Sequence, residues 1–105
     1  MFRLYRVKGP SMAPTLSAGD IIVLRTRRAK VGEIVVVDHA KFGTIIKRIN
    51  ARGNLSGDNP ESTPESALGA YKNATPIGVA IVKITPSGLQ RLSVRRSGSP
   101  ASNSE

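Results

Sequence analysis

Cysteine is absent from the chain, which excludes a disulfide framework, a thiol nucleophile and a thiolate-held metal, and fits a reducing compartment. Tryptophan is absent too, and two Phe and two Tyr make up the aromatic complement, too few to build a stacking platform for nucleic-acid bases. The single histidine, His39, cannot hold a metal alone and leaves a Ser-His-Asp triad hard to assemble; it reads as a strand-end residue. No apolar run approaches the ~20 residues that span a bilayer. The early charges of Met1-Phe2-Arg3-Leu4-Tyr5-Arg6 do not make a signal-peptide core. A cytoplasmic protein without a transmembrane segment, metal or cofactor is expected. Acidic residues are few, seven against sixteen Lys and Arg, for a net charge of +9. That charge attracts nucleic acid, anionic lipid or an acidic partner and says nothing about chemistry.

What remains is the vocabulary of strands. At 105 residues there is room for one domain and one modest core, built from Val, Ile and Leu. Short β-branched runs at residues 2–8, 20–25, 33–39, 43–50 and 76–85 are separated by Gly, Pro and Asn. This pattern predicts an all-β fold of small, coiled antiparallel sheets. Residues 11–16 allow one helical turn at most, because Pro14 fixes φ behind a turn-capping serine. Gly53-Asn54 predicts a hairpin joining the 45–50 run to a short strand around Leu55, which returns Gly57-Asp58-Asn59 beside Lys47. From Leu92 onward Ser, Arg, Gly and Asn dominate, predicting a disordered tail over 92–105 behind a catalytic domain over 1–91.

Two residues carry the candidate chemistry. Ser11 stands in the rigid turn Gly9-Pro10-Ser11-Met12-Ala13-Pro14-Thr15-Leu16, where little else requires a serine. A serine needs a base, and lysine can replace histidine once burial has removed its charge, which lowers its pKa by up to ~3–5 units. In Thr44-Ile45-Ile46-Lys47-Arg48-Ile49, strand alternation sends Lys47 to the same face as Ile45 and Ile49, the aliphatic surroundings such a base requires. Arg48 then faces the other way, towards a carboxylate such as Asp58. The Ser11 N–H is the candidate oxyanion donor. A polypeptide substrate is expected to add as an extended strand between the 5–9 and 43–46 edges, contacting Gly9, Pro10, Met12, Thr44, Ile45 and Ile46.

Taken in order, Ser11-Met12-Ala13-Pro14-Thr15-Leu16, Gly32-Glu33-Ile34-Val35, Lys47-Arg48-Ile49 and the run from Gly57 to Ser66 resemble the motifs of the type I signal peptidase family, across residues 7–84. The resemblance implies a Ser/Lys-dyad serine endopeptidase with Ser11 as nucleophile and Lys47 as general base. It also implies that Thr63 orients the lysine, with threonine where the family has serine, and that Asp58 has a structural role. Glu65-Ser66 is followed by Ala67 rather than the family's arginine, and Gly9 replaces a serine donor found in some members. Gly57-Asp58-Asn59-Pro60 and the missing membrane anchor resemble the nickel-type superoxide dismutase maturation proteases, implying removal of an N-terminal leader from a precursor protein. Two alternatives stay open: a LexA-like self-cleaving domain, and a small basic nucleic-acid-binding module in which Arg25, Arg27, Arg28 and Lys30 would bind.

Overall fold

The computed structural model describes residues 1–92 and 94; the remainder of the expected tail lies outside the described residues. Among the described residues seven strands form one antiparallel sheet: β1 (Phe2–Arg6), β2 (Ile21–Arg25), β3 (Ile34–His39), β4 (Gly43–Ile49), β5 (Leu55–Ser56), β6 (Thr75–Thr85) and β7 (Gly88–Arg91). The spatial order is β1-β2-β6-β3-β4-β5, with β7 folded back on β6. The fold is all-β, as the punctuation of β-branched runs predicts. A four-residue helix α1 (Glu65–Leu68) and a 3-10 turn (Tyr71–Asn73) interrupt the connection between β5 and β6.

The run Ile34-Val35-Val36-Val37 explains the layering. It has no polar alternation because β3 lies between β6 and β4 and is buried on both faces. Ile34 and Val36 enter one core with Met12, Leu16, Ile22, Leu24 and Ile46, while Val35 and Val37 enter a second with Ile49, Leu55, Leu68 and Val79. Each fully buried side chain of this size contributes about 1.5–3 kcal/mol of hydrophobic stabilisation.

The segment from Pro10 to Leu16 is a succession of turns rather than a helix. It holds one helix-type bond, Leu16 N–H to Met12 O at 2.9 Å, after a tighter Ala13 N–H to Pro10 O bond at 3.0 Å. Met12 and Leu16 are fully buried and plug this segment into the first core. The chain re-enters the sheet through two reciprocal bonds, Val7 N–H to Asp20 O and Gly19 N–H to Val7 O, both 2.8 Å. The Asp20 carboxylate closes that turn by accepting the Ser17 N–H at 2.8 Å.

Two strand edges are left open next to the turn. Among the described residues β1 pairs only with β2, and β5 covers β4 only at Arg48 and Ile49, so residues 43–47 of β4 have β3 on one side alone. Among the described residues no helix is long and apolar enough to cross a membrane.

Candidate active site

Ser11 is half-buried at the head of its turn, and the loop after β5 grips the backbone beneath it. Asn59 donates its N–H to Ser11 O at 2.9 Å and its side-chain amide to Pro10 O at 3.0 Å. Gly57 lies so close that a Cβ there would stand 2.5 Å from Ser11 O and would also collide with the Ser62 side chain. Only glycine fits this approach. Asp58, between them, is tied to β4: Arg48 Nε donates to its Oδ1 at 2.9 Å and Nη2 to its Oδ2 at 2.8 Å. The Thr15 hydroxyl donates to the same carboxylate, and Arg48 Nη1 donates to Gly32 O at 2.7 Å. The Arg48 and Asp58 side chains are 5% and 4% exposed, so the bidentate pair is a buried rivet joining strand, turn and loop.

Lys47 is one residue along β4 and faces the other way. It is 5% exposed, lies between Ile45 and Ile49 on its own face, and stands opposite Val35 on β3. Desolvation by this burial pushes its pKa below the ordinary lysine value of 10.5. Among the described residues the amine has no ion-pair or hydrogen-bond partner that would restore its charge.

A groove of about 290 Å³ joins these parts. It brings Gly9, Pro10 and Ser11 to face Thr44, Ile45, Ile46 and Lys47, with Tyr5 and Lys8 at one lip. Burial raises the pKa of Tyr5, which keeps its phenol protonated. Met12, expected among the substrate contacts, is not on the wall: its side chain is fully buried in the first core and serves the turn from below. Thr63 is half-buried outside the groove lining, and among the described residues its hydroxyl forms no hydrogen bond. The neighbouring hydroxyl of Ser62, passed over in the motif reading, sits against Gly57 at the foot of the Ser11 turn. Only the folded loop brings it there, so spacing alone gave no signal.

Other candidate residues are occupied elsewhere. His39 Nδ1 accepts the N–H groups of Lys41 and Phe42 at 3.0 and 3.3 Å, which leaves Nε2 to donate to Leu68 O at 2.8 Å. Both ring nitrogens thus clasp the β3–β4 turn to the end of α1. Arg27, from the basic run, forks onto Glu33 at 2.6 and 3.0 Å. A larger cavity of about 380 Å³, lined by Arg25, Arg27, Glu33 and Arg91, contains neither Ser11 nor Lys47. Among the described residues no group of three or more His, Cys, Asp or Glu could hold a metal ion.

Together these features define an all-β domain whose groove lies between two strand edges, with a serine in the turn beyond one edge and a buried lysine in the other. A family model described as Peptidase S24-like matches residues 2–81, and the chain belongs to that family. Membership supports a serine-type peptidase or a self-cleaving LexA-like domain acting on a peptide, and agrees with the broader signal-peptidase-like resemblance. No curated protein and no solved structure matches the chain.

Proposed function

We propose that this protein is a serine endopeptidase that uses Ser11 as nucleophile and Lys47 as general base. The observation that carries the reading is that one groove, open between two strand edges, is lined by both residues, with the lysine desolvated among aliphatic side chains. A neutral Lys47 amine takes the Ser11 Oγ proton as Oγ attacks the peptide carbonyl. The resulting oxyanion faces the Ser11 N–H, which has no intramolecular acceptor among the described residues. The ammonium of Lys47 then returns its proton to the departing amine, leaving an acyl-enzyme ester. Water, deprotonated by the same lysine, hydrolyses the ester.

The substrate lies extended between β1 and β4 and supplies main-chain bonds to both edges. Removal of an N-terminal leader from a precursor fits such a groove, and the Gly57-Asp58-Asn59-Pro60 resemblance makes a nickel-type superoxide dismutase precursor the first substrate to try. Thr63, or Ser62 beside it, is the hydroxyl that would orient the amine. Ser11→Ala and Lys47→Ala should each lower kcat/KM by roughly three orders of magnitude or more. Lys47→Arg should do no better, because arginine stays charged. Full activity in purified Lys47→Arg protein contradicts the mechanism.

The family match favours one second reading, self-cleavage in the manner of LexA-like domains by the same residue pair. Mass spectrometry of the protein held at alkaline pH separates the two: an internal cut that vanishes in Ser11→Ala supports self-cleavage, and an intact chain that still cuts an added precursor supports the endopeptidase.

A further inference from the structure

We infer that the groove selects polypeptides carrying an Asp or Glu close to the scissile bond, and that Lys8 is the residue that reads it. This rests on the peptidase reading above and names its substrate class. Four of the described carboxylates are committed to ion pairs, Asp20 to Lys83, Glu33 to Arg27, Asp58 to Arg48 and Glu65 to Arg52, while Asp38 and Glu61 are exposed and outside the groove lining. No carboxylate lines the groove among the described residues. Lys8 does line it, is exposed, and has no ion-pair partner among the described residues. It stands directly before Gly9-Pro10-Ser11, on the same lip as the proposed nucleophile.

The opposite lip, Thr44 to Ile46, has no charge of its own, and the exposed Asp38 stands behind it, across from Thr44 on β3. A substrate strand laid in the groove therefore meets the positive charge of Lys8 on the side of the Ser11 turn. An acidic side chain offsets that charge, whereas a basic one is repelled. The surrounding chain, at +9, has the same preference at long range.

The test is a degenerate synthetic peptide mixture incubated with the full chain, with new termini read by mass spectrometry and Ser11→Ala as the blank. Asp and Glu should be enriched at one or two positions beside the cut by about two- to fivefold, the size of a solvent-exposed ion pair. The enrichment should fall as salt is raised. Lys8→Arg should keep the enrichment, Lys8→Gln should erase it, and Lys8→Glu should turn it towards Lys and Arg. Cleavage that depends on Ser11 but shows no acidic enrichment, or enrichment unmoved in Lys8→Glu, overturns the substrate preference and leaves the peptidase reading standing. No Ser11-dependent termini from any peptide overturns both.

Discussion

At Lys47 the whole chemical proposal reduces to one proton. Burial among Ile45, Ile49 and Val35 disfavours the ammonium, and among the described residues no carboxylate offsets that cost. Because the free amine is the active form, kcat/KM should climb with pH through an ionisation lying below 10.5. A profile that is flat, or that falls as pH rises over this range, removes Lys47 as the base. The sign for stability is opposite to that of a paired group. A lysine whose folded pKa is lowered binds fewer protons than its unfolded counterpart between the two values, so its burial is least costly at high pH.

Arg48, its neighbour, shows how one strand serves two faces. Its fork onto Asp58 is buried on both sides, so cutting it leaves an uncompensated charge in a dry site. Asp58→Ala should therefore destabilise the fold by about 3–5 kcal/mol in denaturant titrations, far more than an exposed ion pair. A loss below about 1 kcal/mol, the range of exposed pairs, contradicts that role.

Among the elements, the segment from Gly57 to Leu68 does most to place Ser11, the proposed nucleophile, and it is tied down along its whole length. Near Ser11, Gly57 permits the backbone contact, so Gly57→Ala should displace the Ser11 turn and depress activity more than its stability loss explains. Such a mutant with full activity contradicts the close approach. At the far end, Glu65 at the start of α1 accepts from Arg52 at 2.6 and 2.9 Å and from Asn54 at 2.7 Å, linking the loop to the β4–β5 hairpin. Arg52 first, and Asn54 second, hold its pKa at about 2, well below the ordinary 4.5. The link is thus fully present above pH 4.5 and is lost as pH falls towards about 2. Carbon-detected NMR titration of the Glu65 carboxyl should show that low midpoint, and Glu65→Gln should loosen the loop without unfolding the sheet. A midpoint at the ordinary value contradicts the link.

The same elements show what could be read in advance. Five strands and the hairpin are written in β-branched runs and in Gly53, whose φ of 79° suits only a turn. β7 escaped because Gly88-Leu89-Gln90-Arg91 holds a single apolar residue and is fully exposed, so it depends on pairing with β6 rather than on burial. α1 is too short to show a helical period. Met12 reads as a substrate contact from the sequence because motif spacing marks position and not depth: its neighbours Pro10 and Ser11 reach the groove while its own side chain enters the core. The close approach of Gly57, with Ser62 against it, to Ser11 joins segments that are distant in sequence, which no local pattern encodes.

For the molecule as a whole, the strand order sets a gradient of stability. β3 and β6 have a neighbour on each side and carry both cores, whereas β1 and β7 are edges with exposed side chains. Amide hydrogen exchange should be slowest in residues 34–37 and 78–82 and fastest in residues 2–6 and 88–91. Equal protection of β1 and β3 contradicts this layering. A mobile β1 edge beside the groove is also what a strand-adding substrate would order on binding.

The protonation state of Lys47 in the intact protein ties these scales together. Heteronuclear NMR titration of its side-chain nitrogen follows that state directly. The predicted result is that Lys47 gives up its proton below the ordinary lysine value of 10.5, and that serine-directed phosphonylation of Ser11 speeds up along the same titration curve. A Lys47 that titrates at or above that value, or a Ser11 whose reactivity ignores it, contradicts the proposed pair.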